Sequence, residues 1–156
     1  YGVAASSAGE TVAVLWGDGP QHLSLFRKET NEYSEVDRFS RESVMLRESL
    51  VRFSKDQTLL FYEVPEGIVI VDPKEKETIL IPLSGNVFDV YSRGKGAPVF
   101  VAGNRGEGAF LHVYNRRGET IAEETILEPM RSFHSSENRI IYTAGNTAVC
   151  IEEEVM

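Results

Sequence analysis

The sequence predicts an all-β protein assembled from repeated units of four short antiparallel strands. Three observations carry that expectation. Short runs rich in Val, Ile, Phe and Tyr are broken by turn residues at intervals of roughly 8–12 residues. One segment pattern recurs four times along the chain, and a fixed recurrence is the signature of a repeat architecture. The second strand of each copy is apolar without a break, as in strands covered on both faces.

The copies can be followed in order. The first opens with Val3-Ala4-Ala5-Ser6, a Gly-Glu turn and Thr11-Val12-Ala13-Val14-Leu15-Trp16. The second has Val51-Arg52-Phe53-Ser54, a Lys-Asp turn and Thr58-Leu59-Leu60-Phe61-Tyr62. The third has Asp89-Val90-Tyr91-Ser92, a Gly-Lys-Gly turn and Pro98-Val99-Phe100-Val101-Ala102. The fourth has Arg131-Ser132-Phe133-His134, a polar turn and Arg139-Ile140-Ile141-Tyr142-Thr143.

A Gly-containing loop and a third strand follow each time: Leu23 to Phe26, Ile68 to Val71, Phe110 to Tyr114, Ala148 to Ile151. In three copies a charged turn then closes on Glu-Thr, at Glu29-Thr30, Glu77-Thr78 and Glu119-Thr120. The threonine steps are 48 and 42 residues. Between the first two copies, Ser40 to Leu50 is the one stretch expected to support a helical turn.

A two-layer sandwich leaves one face of each strand wet, so its strands alternate. A β-propeller clasps each four-stranded blade between two others, and a period of about 40–45 residues is its mark. The expected fold is therefore a β-propeller-like single domain over residues 1–156, with blades near 3–39, 50–84, 87–127 and 130–154.

Val51-Arg52-Phe53-Ser54-Lys55-Asp56 with Leu60-Phe61-Tyr62 resembles the V-x-F-S-x-D opening of many propeller blades. Ile68-Val69-Ile70-Val71-Asp72-Pro73 through Ile81-Pro82-Leu83 is similar to the closing half of a YVTN-type blade. The Trp-Asp dipeptide of WD-repeat proteins is absent, since Gly17 follows Trp16. The resemblance implies a blade-built fold and no particular activity.

Strand counting gives four, four, four and three. Three accounts of the short last blade stand side by side: part of a longer chain, a four-bladed ring closed by its own terminus, or an arc completed by a second copy. The chain opens at Tyr1 and not Met, as expected where an upstream segment has been removed. That permits export, and an exported, periplasmic or extracellular place is preferred to a cytoplasmic one.

Composition bounds the function. The 156 residues carry 24 acidic and 16 basic side chains, a net charge of −8, and are 42% hydrophobic and 10% aromatic. Such a chain buries a core, which excludes a disordered tail. Its single cysteine excludes a disulfide framework and a Cys-based zinc site. Apolar runs such as Ile68 to Val71 are too short to span a bilayer as a helix. The acidic balance argues against a nucleic-acid partner, and no membrane insertion is expected.

Catalytic patterns are missing, and no enzyme activity or cofactor is expected. His22, His112 and His134 fall at different phases of the repeat with no metal-ligand spacing. No Gly-x-Ser-x-Gly elbow occurs. Gly103-Asn104-Arg105-Gly106-Glu107-Gly108 precedes a strand, so it reads as a hairpin and not a phosphate loop. Cys150 is expected to pack as a small hydrophobe, and Trp16, Phe53, Tyr91 and Phe133 as core.

Two binding surfaces remain as candidates. Polar residues of the first strands, Arg52, Asp89 and Arg131, are the candidates for a ligand site at the mouth of a propeller channel, with an Arg–Asp pair the structural alternative. Ten of the sixteen basic residues lie in or beside the turns joining first to second and third to fourth strands. Among them Arg93, Lys95, Arg116 and Arg117 are the candidates for a basic face meeting an acidic partner. The expected function is a non-catalytic interaction or scaffold module for a protein or peptide. The alternatives are a substrate-binding or gating propeller of a larger enzyme, and a small-ligand binder using the channel.

Overall fold

The computed structural model describes residues 2–6, 9–17, 20–42, 48–136 and 139–152. Among these are fifteen β-strands and no helix. Sheet 1 comprises β1 (Gly2–Ala5), β2 (Thr11–Trp16), β3 (Gln21–Glu29) and β4 (Glu32–Arg41). Sheet 2 comprises β5 (Val51–Phe53), β6 (Leu60–Val64), β7 (Gly67–Asp72) and β8 (Glu77–Pro82). Sheet 3 holds β9 (Asn86–Tyr91), β10 (Val99–Arg105), β11 (Gly108–Tyr114) and β12 (Thr120–Ile126). Sheet 4 holds β13 (Met130–Ser136), β14 (Arg139–Ala144) and β15 (Thr147–Glu152). Every sheet is an antiparallel meander in chain order.

The chain divides into two compact units, Tyr1–Leu83 with sheets 1 and 2, and Ser84–Met156 with sheets 3 and 4. In the first unit Ala13, Leu15, Leu23 and Leu25 of sheet 1 meet Leu60, Tyr62, Val69 and Val71 of sheet 2 in one core. In the second, Phe100, Ala102 and Leu111 of sheet 3 meet Met130, Ile140 and Tyr142 of sheet 4.

The uninterrupted apolar runs do what the periodicity requires in sheets 2 and 3: every residue of β7 is buried, as are Val99 to Gly103 of β10. Sheets 1 and 4 depart from it. β14 alternates exposed and buried along Arg139, Ile140, Ile141 and Tyr142, and the far side of β2 is only half-buried. Their sequences look equally apolar, so strand composition alone does not set the burial of the second face.

The sequence motifs have local causes. The Ser of V-x-F-S-x-D anchors the turn after the first strand. Ser54 Oγ accepts from Leu59 N at 3.0 Å and donates to Asp56 Oδ1 at 2.9 Å, while Thr58 donates to the same oxygen through N (3.0 Å) and Oγ1 (2.7 Å). Ser6 and Ser92 occupy the same place in their copies, accepting from Thr11 N and Gly94 N.

The three Glu-Thr pairs are not equivalent. In sheets 2 and 3 the residue before the pair takes the left-handed conformation (Lys76 φ 57°, Gly118 φ 82°). In sheet 1 Thr30 itself does, at φ 58°, because Glu29 pairs with Glu32 across a two-residue turn. Ser40 and Arg41, expected at the start of a helical turn, end β4; residues 43–47 of that stretch lie outside the described residues.

Four β-bulges each push one residue out of the ladder: Val36, Phe88, Ile121 and Arg131. That accounts for the exposure of the three apolar ones, since a bulged residue loses its cross-strand neighbour.

Candidate functional site

The basic hairpins are the best-built of the sequence candidates. Arg93 and Lys95 sit in the β9–β10 connection, Arg116 and Arg117 in the β11–β12 turn. In a meander these two connections leave the same end of sheet 3. Both are fixed by side-chain caps. Asn115 Oδ1 accepts from Arg117 N at 2.9 Å and Glu119 N at 3.0 Å, closing the turn with Gly118 N on Asn115 O. Ser92 Oγ holds Gly94 N at 3.2 Å. Lys95 and Arg117 are exposed, Arg93 and Arg116 half-buried. At the opposite end the β10–β11 turn carries Gly106 at φ 60° and Glu107, the hairpin expected in place of a phosphate loop.

Two further cations of the same repeat phase are in ion pairs. Lys76 pairs with Asp37, and Arg139 Nη2 lies 3.1 Å from Glu152 Oε1.

The first-strand set Arg52, Asp89 and Arg131 does not hold as three equivalent positions. Arg52 lies in the first unit, the other two in the second. Arg52 projects from β5 on the side opposite Val51 and Phe53, which pack in or against the first core. Asp89 shares the parity of Tyr91, a core residue, and accepts from Val90 N. Arg131 is a bulge residue. Arg52 and Arg131 are exposed and Asp89 half-buried, so the expected need to neutralise buried charge does not arise.

Arg52 nevertheless borders an open cleft of about 460 Å³ in the first unit, lined by Val3, Ala4, Ala5, Val51, Arg52, Phe53, Ser54, Lys55 and Gln57. Gly2 makes the cleft possible by letting β1 run against the approach to β5. A Cβ there would sit 2.4 Å from Val51 Cγ2 and 2.6 Å from Ser49 O. Two cations over apolar walls suit a small anion, and sequence reading had named only Arg52 of this set.

Sheet 1 carries a feature the sequence did not announce. Trp16, expected in the core, is 37% exposed. Its Nε1 donates to the buried Ser24 Oγ at 2.9 Å, His22 lies 4.6 Å away centroid to centroid, and the Arg38 guanidinium sits 5.1 Å over the ring. Arg38 is clamped by Glu35 through Nε (3.1 Å) and Nη2 (3.0 Å). The Arg38 hydrogen bonds, and then that of Ser24, hold the Glu35 carboxyl below its ordinary 4.5.

The histidines are dispersed. His22 Nδ1 shares a hydrogen bond with Ser40 Oγ at 2.7 Å, His134 is exposed, and His112 is buried with Nδ1 2.8 Å from Tyr114 Oη. Burial pushes the His112 imidazole below 6.5 and the Tyr114 phenol above 10. Cys150, expected to be buried, is exposed. It pairs with the exposed Ile141 on the uncovered side of sheet 4, so its apolar strand context misled. Among the described residues no group of three or more His, Cys, Asp or Glu is placed to hold a metal ion, and no helix is long and apolar enough to cross a membrane.

Comparison with known proteins adds the family. A family model described as a β-propeller protein matches residues 1–101. No curated protein sequence matches. Among solved structures, apo AztD from Citrobacter koseri superposes with a TM-score of 0.65 at 17% identity, over 97% of this chain and 43% of that one. The computationally designed Ika4 protein gives 0.62 at 11% identity, over 98% and 90%. The AfRom2 CNH domain gives 0.59 at 11% identity, over 99% and 52%. The chain thus spans about half the length of two of these three. Antiparallel meander sheets, the matched family and the shared fold agree: the chain belongs to the β-propeller proteins.

Proposed function

We propose that the chain is a non-catalytic interaction module that captures an acidic segment of a protein partner at the Arg93, Lys95, Arg116 and Arg117 end of sheet 3. The observation that carries this reading is the placement of four cations on two capped hairpins at one end of one blade. Pre-formed turns reduce the ordering cost of binding. Against a net charge of −8, a local cationic end also orients an acidic ligand and disfavours approach elsewhere.

Exposed ion pairs contribute ~0.2–1 kcal/mol each, so losing four weakens binding by between about fourfold and several hundredfold. The test is fluorescence anisotropy of a labelled oligoglutamate peptide against the wild type and the R93Q/K95Q/R116Q/R117Q variant. Binding that weakens with salt and drops in the variant supports the reading. Equal affinity of the two proteins at low salt ends it.

A second reading is favoured by the Arg52 and Lys55 cleft: a small carboxylate-bearing ligand held over Val3, Val51 and Phe53. Thermal shift with a panel of small carboxylates, lost in Arg52→Gln, separates it from the first. A gating role within a larger enzyme has no support from a particular residue here.

A further inference from the structure

β1 and β5 are end strands of their sheets, pairing in the ladder with β2 and with β6 only. The phase of each ladder decides which backbone groups the outer edge presents. Ser6 N donates to Thr11 O at 2.9 Å, so Ser6, Ala4 and Gly2 turn toward β2. In an antiparallel pair the intervening residues turn the other way, which puts the N–H and C=O of Val3 and Ala5 on the outer edge. On β5 the bond from Ser54 N to Leu59 O, also 2.9 Å, sends Val51 and Phe53 outward by the same count. All four residues line the cleft of about 460 Å³, which lies wholly within the first unit. Its walls are therefore strand edges as well as apolar side chains.

The cleft has a closed end. Gly2 abuts Val51 and Ser49 so tightly that a Cβ has no room, and the lining starts only at Val3. Arg52 Nη1 donates to Val51 O at 3.0 Å, which holds the guanidinium near that end and occupies an outward carbonyl of β5. β1 is thus the strand with its whole outer edge to offer. Among the described residues the lining carries two cations, Arg52 and Lys55, and no acidic side chain. Asp56 is turned instead to Ser54 and Thr58.

We propose that the cleft takes the C-terminal end of an extended peptide, whose last residues add to β1 at Val3 and Ala5 and whose α-carboxylate meets Arg52. This rests on the second reading above, that the cleft holds a carboxylate, and names the class of ligand. Three features select a chain terminus. A strand edge recognises main chain, which a small free acid lacks. A closed end stops a chain that would otherwise run through. The volume lies within the range of about 300–1,000 Å³ that suits drug-sized ligands, the bulk of roughly three residues.

The experiment uses the isotope-labelled 156-residue chain and nuclear magnetic resonance. The probes are acetyl-Ala-Val-Val with a free carboxyl, the same peptide amidated, the same peptide methylated on its backbone nitrogens, and isovalerate. The free acid is expected to shift the Val3 and Ala5 amides and to slow their hydrogen exchange about tenfold at saturation. Amidation, N-methylation and Arg52→Gln should each weaken binding about tenfold or more. Ala5→Pro removes an outward N–H while leaving the β1–β2 ladder its bonds, so it should weaken the peptide and spare isovalerate. No peptide-induced change at Val3 and Ala5 up to millimolar concentration overturns the inference. So does equal binding of the N-methylated peptide, or protection of both amides before peptide is added. Isovalerate then decides the reading beneath: Arg52-dependent binding leaves the carboxylate site standing, and its absence ends that as well.

Discussion

The Asn104 carboxamide closes on both backbone polar groups of Met130: its Oδ1 accepts from Met130 N at 2.7 Å and its Nδ2 donates to Met130 O at 3.4 Å. Asn104 is the penultimate residue of β10 and Met130 begins β13, so one side chain ties sheet 3 to sheet 4 at the point where the chain passes between them. Met130 is a core residue at 3% exposure, which makes its backbone costly to leave unpaired.

From this link follows a stability prediction. Asn104→Leu removes the partners of both backbone polar groups of a buried residue and costs about 1–3 kcal/mol. Asn104→Asp keeps an acceptor for Met130 N and loses only the donor, so its cost is the smaller of the two. Urea unfolding at pH 7 checks the order. Equal midpoints for wild type and Asn104→Leu would show that the carboxamide bonds contribute nothing.

The β3–β4 turn gives a stabilising prediction. Thr30 is β-branched and sits at φ 58°, a region that costs such a residue about 1 kcal/mol or more and costs glycine nothing. Thr30→Gly is expected to raise stability by ~0.5–1 kcal/mol, the turn gain exceeding glycine's larger unfolded-state entropy. The same exchange at Thr78, inside β8, lowers it. Thermal midpoints of the two variants should therefore move in opposite directions.

His112 makes stability depend on pH. Burial holds its folded pKa below the ordinary 6.5; Glu123 across the β11–β12 ladder opposes that shift, and Arg105 adds to it. The unfolded state then takes up the proton first, so stability is flat above about pH 6.5 and falls as pH drops toward the folded pKa. Between pH 7 and about 5 the wild type should lose more of its urea midpoint than His112→Gln. Parallel pH profiles would mean that the imidazole titrates alike in both states.

Much of the fold was legible because propeller strands are short, apolar and punctuated. Val51 to Ser54 and Ile68 to Val71 announce their strands, and the Ser54–Asp56 turn is written in the residues that make it. What was not legible depends on neighbours. Ile68 and Ile141 look alike in sequence, yet one is fully buried and the other 40% exposed. Local pattern reports that a strand is apolar, whereas exposure depends on what stacks on each side; Cys150 and Trp16 were misread for that reason. Bulges were invisible too. Dropping one residue from the ladder at Phe88 and at Arg131 broke the apparent equivalence of Arg52, Asp89 and Arg131. Of the candidate surfaces, the paired basic hairpins could be read from turn positions alone. The Arg52 cleft needed Gly2, whose role is a close backbone approach that no spacing reveals.

The central physical claim is that β7 is buried along its whole length while β14 alternates between buried and exposed. Native-state thiol accessibility, with single cysteines placed at Ile68, Val69, Ile140 and Ile141 in a Cys150→Ser background, tests it directly. Cysteines at 68, 69 and 140 should resist labelling, and the one at 141 should react within a few-fold of an unfolded control. Alternating reactivity at 68 and 69 would contradict the account, because one flank of β7 would then face water.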